Sequence, residues 1–153
     1  MKALNLHGWQ VSTAEAKEIQ LRLAGELRLT DDVSGPSLVA GVDVSPRPGG
    51  KARGAVVVLS YPEMEAVESQ TAEVEVQFPY VPGLLSFRES PAILAACERL
   101  RTTPGLLLVD AQGYAHPRRF GLASHLGLLL DTPSIGCAKS LLCGTHDPVA
   151  NEA

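Results

Sequence analysis

The run Leu106-Leu107-Leu108-Val109 restricts the possible folds of this chain more than any other segment. Four consecutive apolar residues after Pro104-Gly105 offer no polar face to water. They fit a short strand buried on both sides, inside a sheet that helices cover. Asp110 follows at the carboxyl end of that strand, which is where open α/β sheets place their ligands.

The rest of the chain supplies the elements around it. Ser12 and Glu15 have capping-box spacing, and Ala16, Ile19, Leu23, Ala24 and Leu27 recur at helical intervals, predicting an amphipathic helix to about Leu27. The turn-rich stretch from Asp31 to Pro36 ends it. Strands are expected from Ser37 to Ser45, Arg53 to Ser60 and Glu65 to Val76. Pro46, Pro48, Gly49 and Gly50 form the first connection and Tyr61-Pro62-Glu63-Met64 the second. Phe78-Pro79-Tyr80-Val81-Pro82-Gly83 cannot be regular structure, because two prolines remove donors and fix φ. A helix is expected from Ser86 to about Arg101 with Pro91 near its first turn, then a helix from Gly121 to Leu130 and a strand from Ser134 to Ala138. An antiparallel three-strand meander followed by βαβ units gives an α/β mixed sheet with flanking helices. No linker divides the 153 residues, so one domain is expected.

A hydrophobic content of 45% and 20% charged residues argue against disorder. A formal net charge of −4 counts against a passive nucleic-acid binder, whose affinity rests on excess Lys and Arg. It leaves room for a nuclease, since metal-binding acids lower the total. The absence of an apolar run of about 18 residues predicts no membrane partner. With no secretory signal in the first residues, a cytoplasmic location is expected. Cys97, Cys137 and Cys143 include no CxxC pair and read as reduced and mostly structural.

Three acids draw attention. Asp43 lies within Leu38-Val39-Ala40-Gly41-Val42-Asp43-Val44, where a solvated carboxylate is out of place. Asp110 ends its buried strand, and Glu89 lies near the start of the helix after the proline-rich loop. Acids from two strands and a helix can form one oxygen cage suited to Mg²⁺, and such an ion can orient phosphate and activate water. Plainer readings stand beside this one. Asp43 suits a hydrogen-bonded structural role, Glu89 a favourable charge in a helix's first turn, and Asp110 the start of a turn with Ala111-Gln112-Gly113.

The loop from Phe78 to Glu89 closely resembles the signature of the endonuclease V family, as does the segment from Val109 to Gly127. Ala40-Gly41-Val42-Asp43 and Pro133-Ser134-Ile135-Gly136-Cys137-Ala138-Lys139 complete the match, which runs from the first helix to about Asp147. The resemblance implies a ribonuclease-H-like fold. It also implies a metal-dependent endonuclease of DNA repair, which recognises inosine (hypoxanthine) and cuts one nucleotide to its 3′ side with Mg²⁺ or Mn²⁺. The expected partner is inosine-containing DNA, with RNA as an alternative, and no obligate protein partner. By resemblance Asp43, Glu89 and Asp110 form the metal site, and Lys139 joins them as a catalytic residue near the scissile phosphate. Tyr80, Val81, Pro82 and Gly83 form a strand-separating wedge, with Leu85, Gly113, His116 and Arg118 also contacting the lesion. Arg118 and Arg119 are natural phosphate contacts. His125 is expected to be a core residue donating one hydrogen bond, and Asp131 to cap or terminate its helix.

Members of this family continue well past the segment matching Cys143-Gly144, so a single domain lacking the usual C-terminal part is expected. Such a chain would expose apolar sheet surface and could self-associate. His146 and Asp147 fall too early to supply the family's last active-site residue. Two alternatives follow: a weak or inactive fragment that binds inosine-containing nucleic acid, or another ribonuclease-H-like nuclease.

Overall fold

A computed structural model describes residues 1–30 and 35–147. Its elements run α1 (Thr13–Ala24), β1 (Leu38–Arg47), β2 (Lys51–Ser60), β3 (Ala66–Glu75), α2 (Leu85–Cys97), β4 (Leu106–Val109), α3 (Leu122–Leu130) and β5 (Ser134–Gly136). The five strands form one sheet in the order β3-β2-β1-β4-β5. β1, β2 and β3 pair antiparallel, whereas β4 runs parallel to β1 and β5 parallel to β4. The meander and the βαβ unit are therefore both present.

Alternation along the strands decides which face is covered. Ala40, Val42, Val56, Val58, Leu107 and Val109 lie on one face and are buried with Ile93, Ala96 and Cys97 of α2 and Leu122, Leu126 and Leu129 of α3. The other face carries the row Ser69–Val57–Gly41–Leu108–Ile135, joined across the sheet by strand register. Val57 and Ile135 in that row are exposed.

A second cluster of Ala16, Phe78, Leu84 and Phe87 joins α1, the loop before α2, and α2 itself. Burying Phe87 there contributes about 1.5–3 kcal/mol. The N-terminal segment is docked by Leu4 N–H to the Leu129 carbonyl at 2.7 Å and by a hydrogen bond between the Nε2 atoms of His7 and His125, also 2.7 Å. His125 is fully buried, as expected of a core residue, and its Nδ1 has no partner among the described residues. Burial, and secondarily His7, push its pKa down to about 3.

Several boundaries differ from expectation. α1 has the expected capping box but ends at Ala24 rather than near Leu27, with Gly25 as its C-cap. Residues 31–34 of the turn-rich stretch lie outside the described residues. β1 extends two residues further than expected because Pro46 and Arg47 still pair with Ala52 and Lys51. α2 starts at Leu85 and stops at Cys97, so Pro91 is in the helix interior, not near its first turn. There it removes the bond that residue 91 would make to the Phe87 carbonyl. Arg101 and Thr102 N–H groups instead donate to the Glu68 carboxylate of β3, at 2.9–3.2 Å. β5 ends at Gly136, two residues early. Asp131 terminates α3 as a left-handed C-cap, as expected.

Candidate active site

Parallel pairing brings two of the three acids together. Val42 of β1 is the register partner of Val109 of β4, so the next residues, Asp43 inside β1 and Asp110 just past the end of β4, are neighbours. Asp43 is exposed, which corrects the expectation of a buried charge. It lies one residue past Val42 and so points away from the helix-covered face, and its Oδ1 accepts the Val44 N–H at 2.7 Å. Asp110 is also exposed, and its Oδ2 accepts from the Lys139 ammonium at 2.5 Å. That bond, and next the Asp110 charge itself, raise the Lys139 pKa above its ordinary value.

Glu89 reaches the same region from α2 and is partly buried. Burial chiefly, then repulsion from Asp43 and, more weakly, Asp110, raise its pKa to about 7 against the opposing Arg88. The three carboxylates are thus electrostatic neighbours. Among the described residues, however, no three His, Cys, Asp or Glu side chains stand close enough together to hold a metal ion as positioned. Their chemistry suits a hard divalent cation: all are oxygen donors, and Glu89 is held partly protonated chiefly by burial, with the charge of the others adding.

Beside the acids is a pocket of about 180 Å³. Tyr80, Val81, Pro82, Gly83 and Leu85 form one wall, and Ala111, Gln112, His116 and Gly121 line the other. Tyr80 is 72% exposed, so the ring projects from the loop instead of packing into it. Gly83 has φ +77°, the left-handed region that favours glycine, and a Cβ there would stand 2.8 Å from Arg118 Nη2, the far end of a side chain. The acids are not in the lining, but Ala111 adjoins Asp110 and the pocket residue Ser86 precedes Glu89 by three.

Arg118 is largely committed within the protein. Its Nη2 donates to the Gly83 carbonyl and its Nε to Gln20 Oε1, both at 2.6 Å. His116 Nε2 also donates to the Gly83 carbonyl, at 3.1 Å, while its Nδ1 accepts from the Arg118 backbone N–H. That pattern requires the neutral ring, and burial, then the Arg118 charge, lower its pKa. Arg119 stands 5.0 Å above the Tyr114 ring on the surface. Gly113 does not line the pocket: the space for a Cβ faces Ala123, Gly136 and Ser124 at 3.6–3.7 Å.

The pocket residues that the sequence does not mark as site candidates include Gln20, Ser86 and Leu142. Gln20 and Ser86 are buried, and Ser86 Oγ has no partner among the described residues. The available signal for Gln20 was a polar residue on the apolar stripe of Ala16 and Leu23.

A three-strand antiparallel meander continued by two parallel strands, with Asp110 following the first of these, defines a ribonuclease-H-like fold. The pattern that defines endonuclease V matches residues 21–153, and this chain belongs to that family. It is 51% identical over 154 residues to endonuclease V of Dehalococcoides mccartyi, covering 100% of this chain and 69% of the relative. It is 52% identical to that of Gloeobacter violaceus, covering 99% and 63%. The crystal structure of Streptomyces avermitilis endonuclease V superposes with a TM-score of 0.86 at 45% identity, covering 94% of this chain and 64% of that one. Ciona intestinalis endonuclease V, bound to a 24mer DNA containing an inosine followed by a ribo-adenosine, superposes with a TM-score of 0.77 at 37% identity, covering 84% and 58%. The chain thus spans roughly two thirds of these proteins' lengths. No helix among the described residues is long and apolar enough to cross a membrane.

Proposed function

We propose that this chain is an inosine-directed endonuclease that uses Mg²⁺ or Mn²⁺ to cut the phosphodiester bond one nucleotide to the 3′ side of a deaminated purine. One observation carries the reading: the pocket walled by the Tyr80–Gly83 loop includes Ala111, next to Asp110, and Asp110 neighbours Asp43 across the β1–β4 pairing. The inosine-containing DNA in the Ciona relative supports the substrate class. RNA remains the alternative substrate.

Each group has a physical part in the reaction. The projecting Tyr80 ring, on a loop stiffened by Pro79 and Pro82, would fill the gap that an everted base leaves in the stack. Val81, Gly83 and Leu85 would enclose the base, with His116 and Arg118 holding Gly83 in place. Asp43, Asp110 and Glu89 would hold the cation, which supplies Lewis acidity and water activation when bound. Lys139 would turn its ammonium from Asp110 toward the phosphate and stabilise negative charge developing on the oxygens.

The test compares inosine-containing and plain oligonucleotides in Mg²⁺, in Ca²⁺ and with chelator. The expected result is a cut one nucleotide 3′ of inosine in Mg²⁺ only. Inosine-specific binding without cutting in Mg²⁺ would replace this reading with that of a binding module. Asp43→Ala is expected to lower cleavage by about 10³-fold while leaving inosine binding in Ca²⁺ largely intact.

A further inference from the structure

Gln20 is 1% exposed on α1, yet its amide reaches both walls of the pocket. Its Nε2 donates to the Gly83 carbonyl on one wall and to the Phe120 carbonyl beside the other, each at 3.1 Å. Its Oε1 accepts from Arg118 Nε at 2.6 Å, and Arg118 turns back onto the same Gly83 carbonyl. Two carbonyls can only accept and a guanidinium can only donate, so these partners fix the orientation of the amide. All its polar capacity for donation is used. Gly83 is followed by the Leu84 N–H, which closes a turn onto the Val81 carbonyl at 2.9 Å. Holding Gly83 therefore holds the turn that carries the pocket's outer wall.

We propose that Gln20 is a positioning residue that sets the spacing between the two walls of the base pocket, and through it the discrimination between inosine and ordinary bases. The proposal rests on the functional reading above. Gln20 never touches the scissile phosphate. It acts because one short amide ties two loops, 63 and 100 residues away in sequence, to a single point. Base selection is sensitive to that spacing, because a pocket discriminates by close fit, and a change of about one methylene in that fit is worth roughly 10- to 200-fold.

Two variants separate shape from hydrogen bonding. Gln20→Glu keeps size and the acceptor for Arg118 but cannot donate to either carbonyl. Gln20→Met keeps approximate size and removes all polar contact. Dissociation constants in Ca²⁺ are measured for an inosine-containing oligonucleotide and for its plain counterpart, alongside amide hydrogen exchange at Leu84 and in α3. Both variants are expected to weaken inosine binding by about 10- to 100-fold, to leave plain-oligonucleotide binding within about twofold of the parent, and to speed exchange at Leu84 but not in α3. Parental inosine preference in both folded variants overturns the proposal, as does equal weakening on both oligonucleotides. Failure of both variants to fold also overturns it, by making Gln20 a stability residue. If the parent itself shows no inosine preference, the functional reading falls instead. Leu84 exchange then decides the positioning role, with unchanged exchange overturning it.

Discussion

Glu89→Gln is expected to make the metal-free protein more stable at pH 8 while cleavage falls by about 10³-fold. The Glu89 carboxyl has its pKa raised to about 7 by burial first and by Asp43 next. The folded state therefore holds the proton more tightly than the unfolded chain. The stability that comes with this is complete below about pH 4.5 and is lost as pH rises through about 7. The neutral amide escapes that loss. Discounted for the solvent that reaches a partly exposed group, the gain at pH 8 is about 1–2 kcal/mol, or roughly 3–6 °C in Tm. With chelator present, melting curves should coincide near pH 4 and separate as pH rises. Adding Mg²⁺ should narrow the gap, because a cation bound only by the folded parent stabilises it alone. Equal melting of the two proteins at pH 8 under chelator would mean that Glu89 carries no strain from its neighbours, and the proposed cation cage would lose its electrostatic basis.

The architecture was largely legible in the sequence because its signals are local. Prolines and glycines bracket each strand, the apolar tetrad from Leu106 to Val109 requires two covered faces, and capping residues mark α1. The errors arose where distant groups decide the outcome. α2 ends early because Glu68, more than thirty residues upstream, takes the Arg101 and Thr102 N–H groups. Asp43 was expected to be buried from its apolar neighbours, but strand alternation turns it away from the covered face, and sequence alone does not say which face helices will cover. The acids themselves draw attention by their place in the sequence, and the family resemblance adds the loop that walls the pocket. The clamp on Gly83 was not, because Gln20 and Arg118 meet across 98 positions with no spacing pattern to betray them. A surface arginine pair suggested phosphate contact, whereas the fold commits two nitrogens of Arg118 to its own loop.

Fold and site meet most directly at Gly54, and Gly54→Ala is expected to damage both. Gly54 of β2 lies on the helix-covered face, where a Cβ would stand 2.2 Å from the Ala92 carbonyl oxygen, 2.3 Å from its carbon and 2.7 Å from Ile93 N. All three are backbone atoms of α2, so no side-chain rotation relieves the clash and the helix itself must back away. Overpacking of this kind costs about 1–3 kcal/mol, toward the upper end when backbone must shift. Ala92 is three residues beyond Glu89 on the same helix, so the displacement carries the Glu89 carboxylate away from Asp43 and Asp110. Cleavage is expected to fall by about 10²-fold in protein that remains folded at low temperature. Gly41→Ala is the matched control, since Gly41 lies on β1 facing the uncovered side, with nothing within 4 Å of a Cβ. There the added methyl should be neutral, or stabilising by up to about 1 kcal/mol through reduced freedom in the unfolded chain. Urea unfolding and single-turnover cleavage of both variants give the comparison. If Gly54→Ala matches Gly41→Ala in stability and rate, α2 does not depend on close contact with β2 to deliver Glu89, and the placement of the third acid needs another explanation.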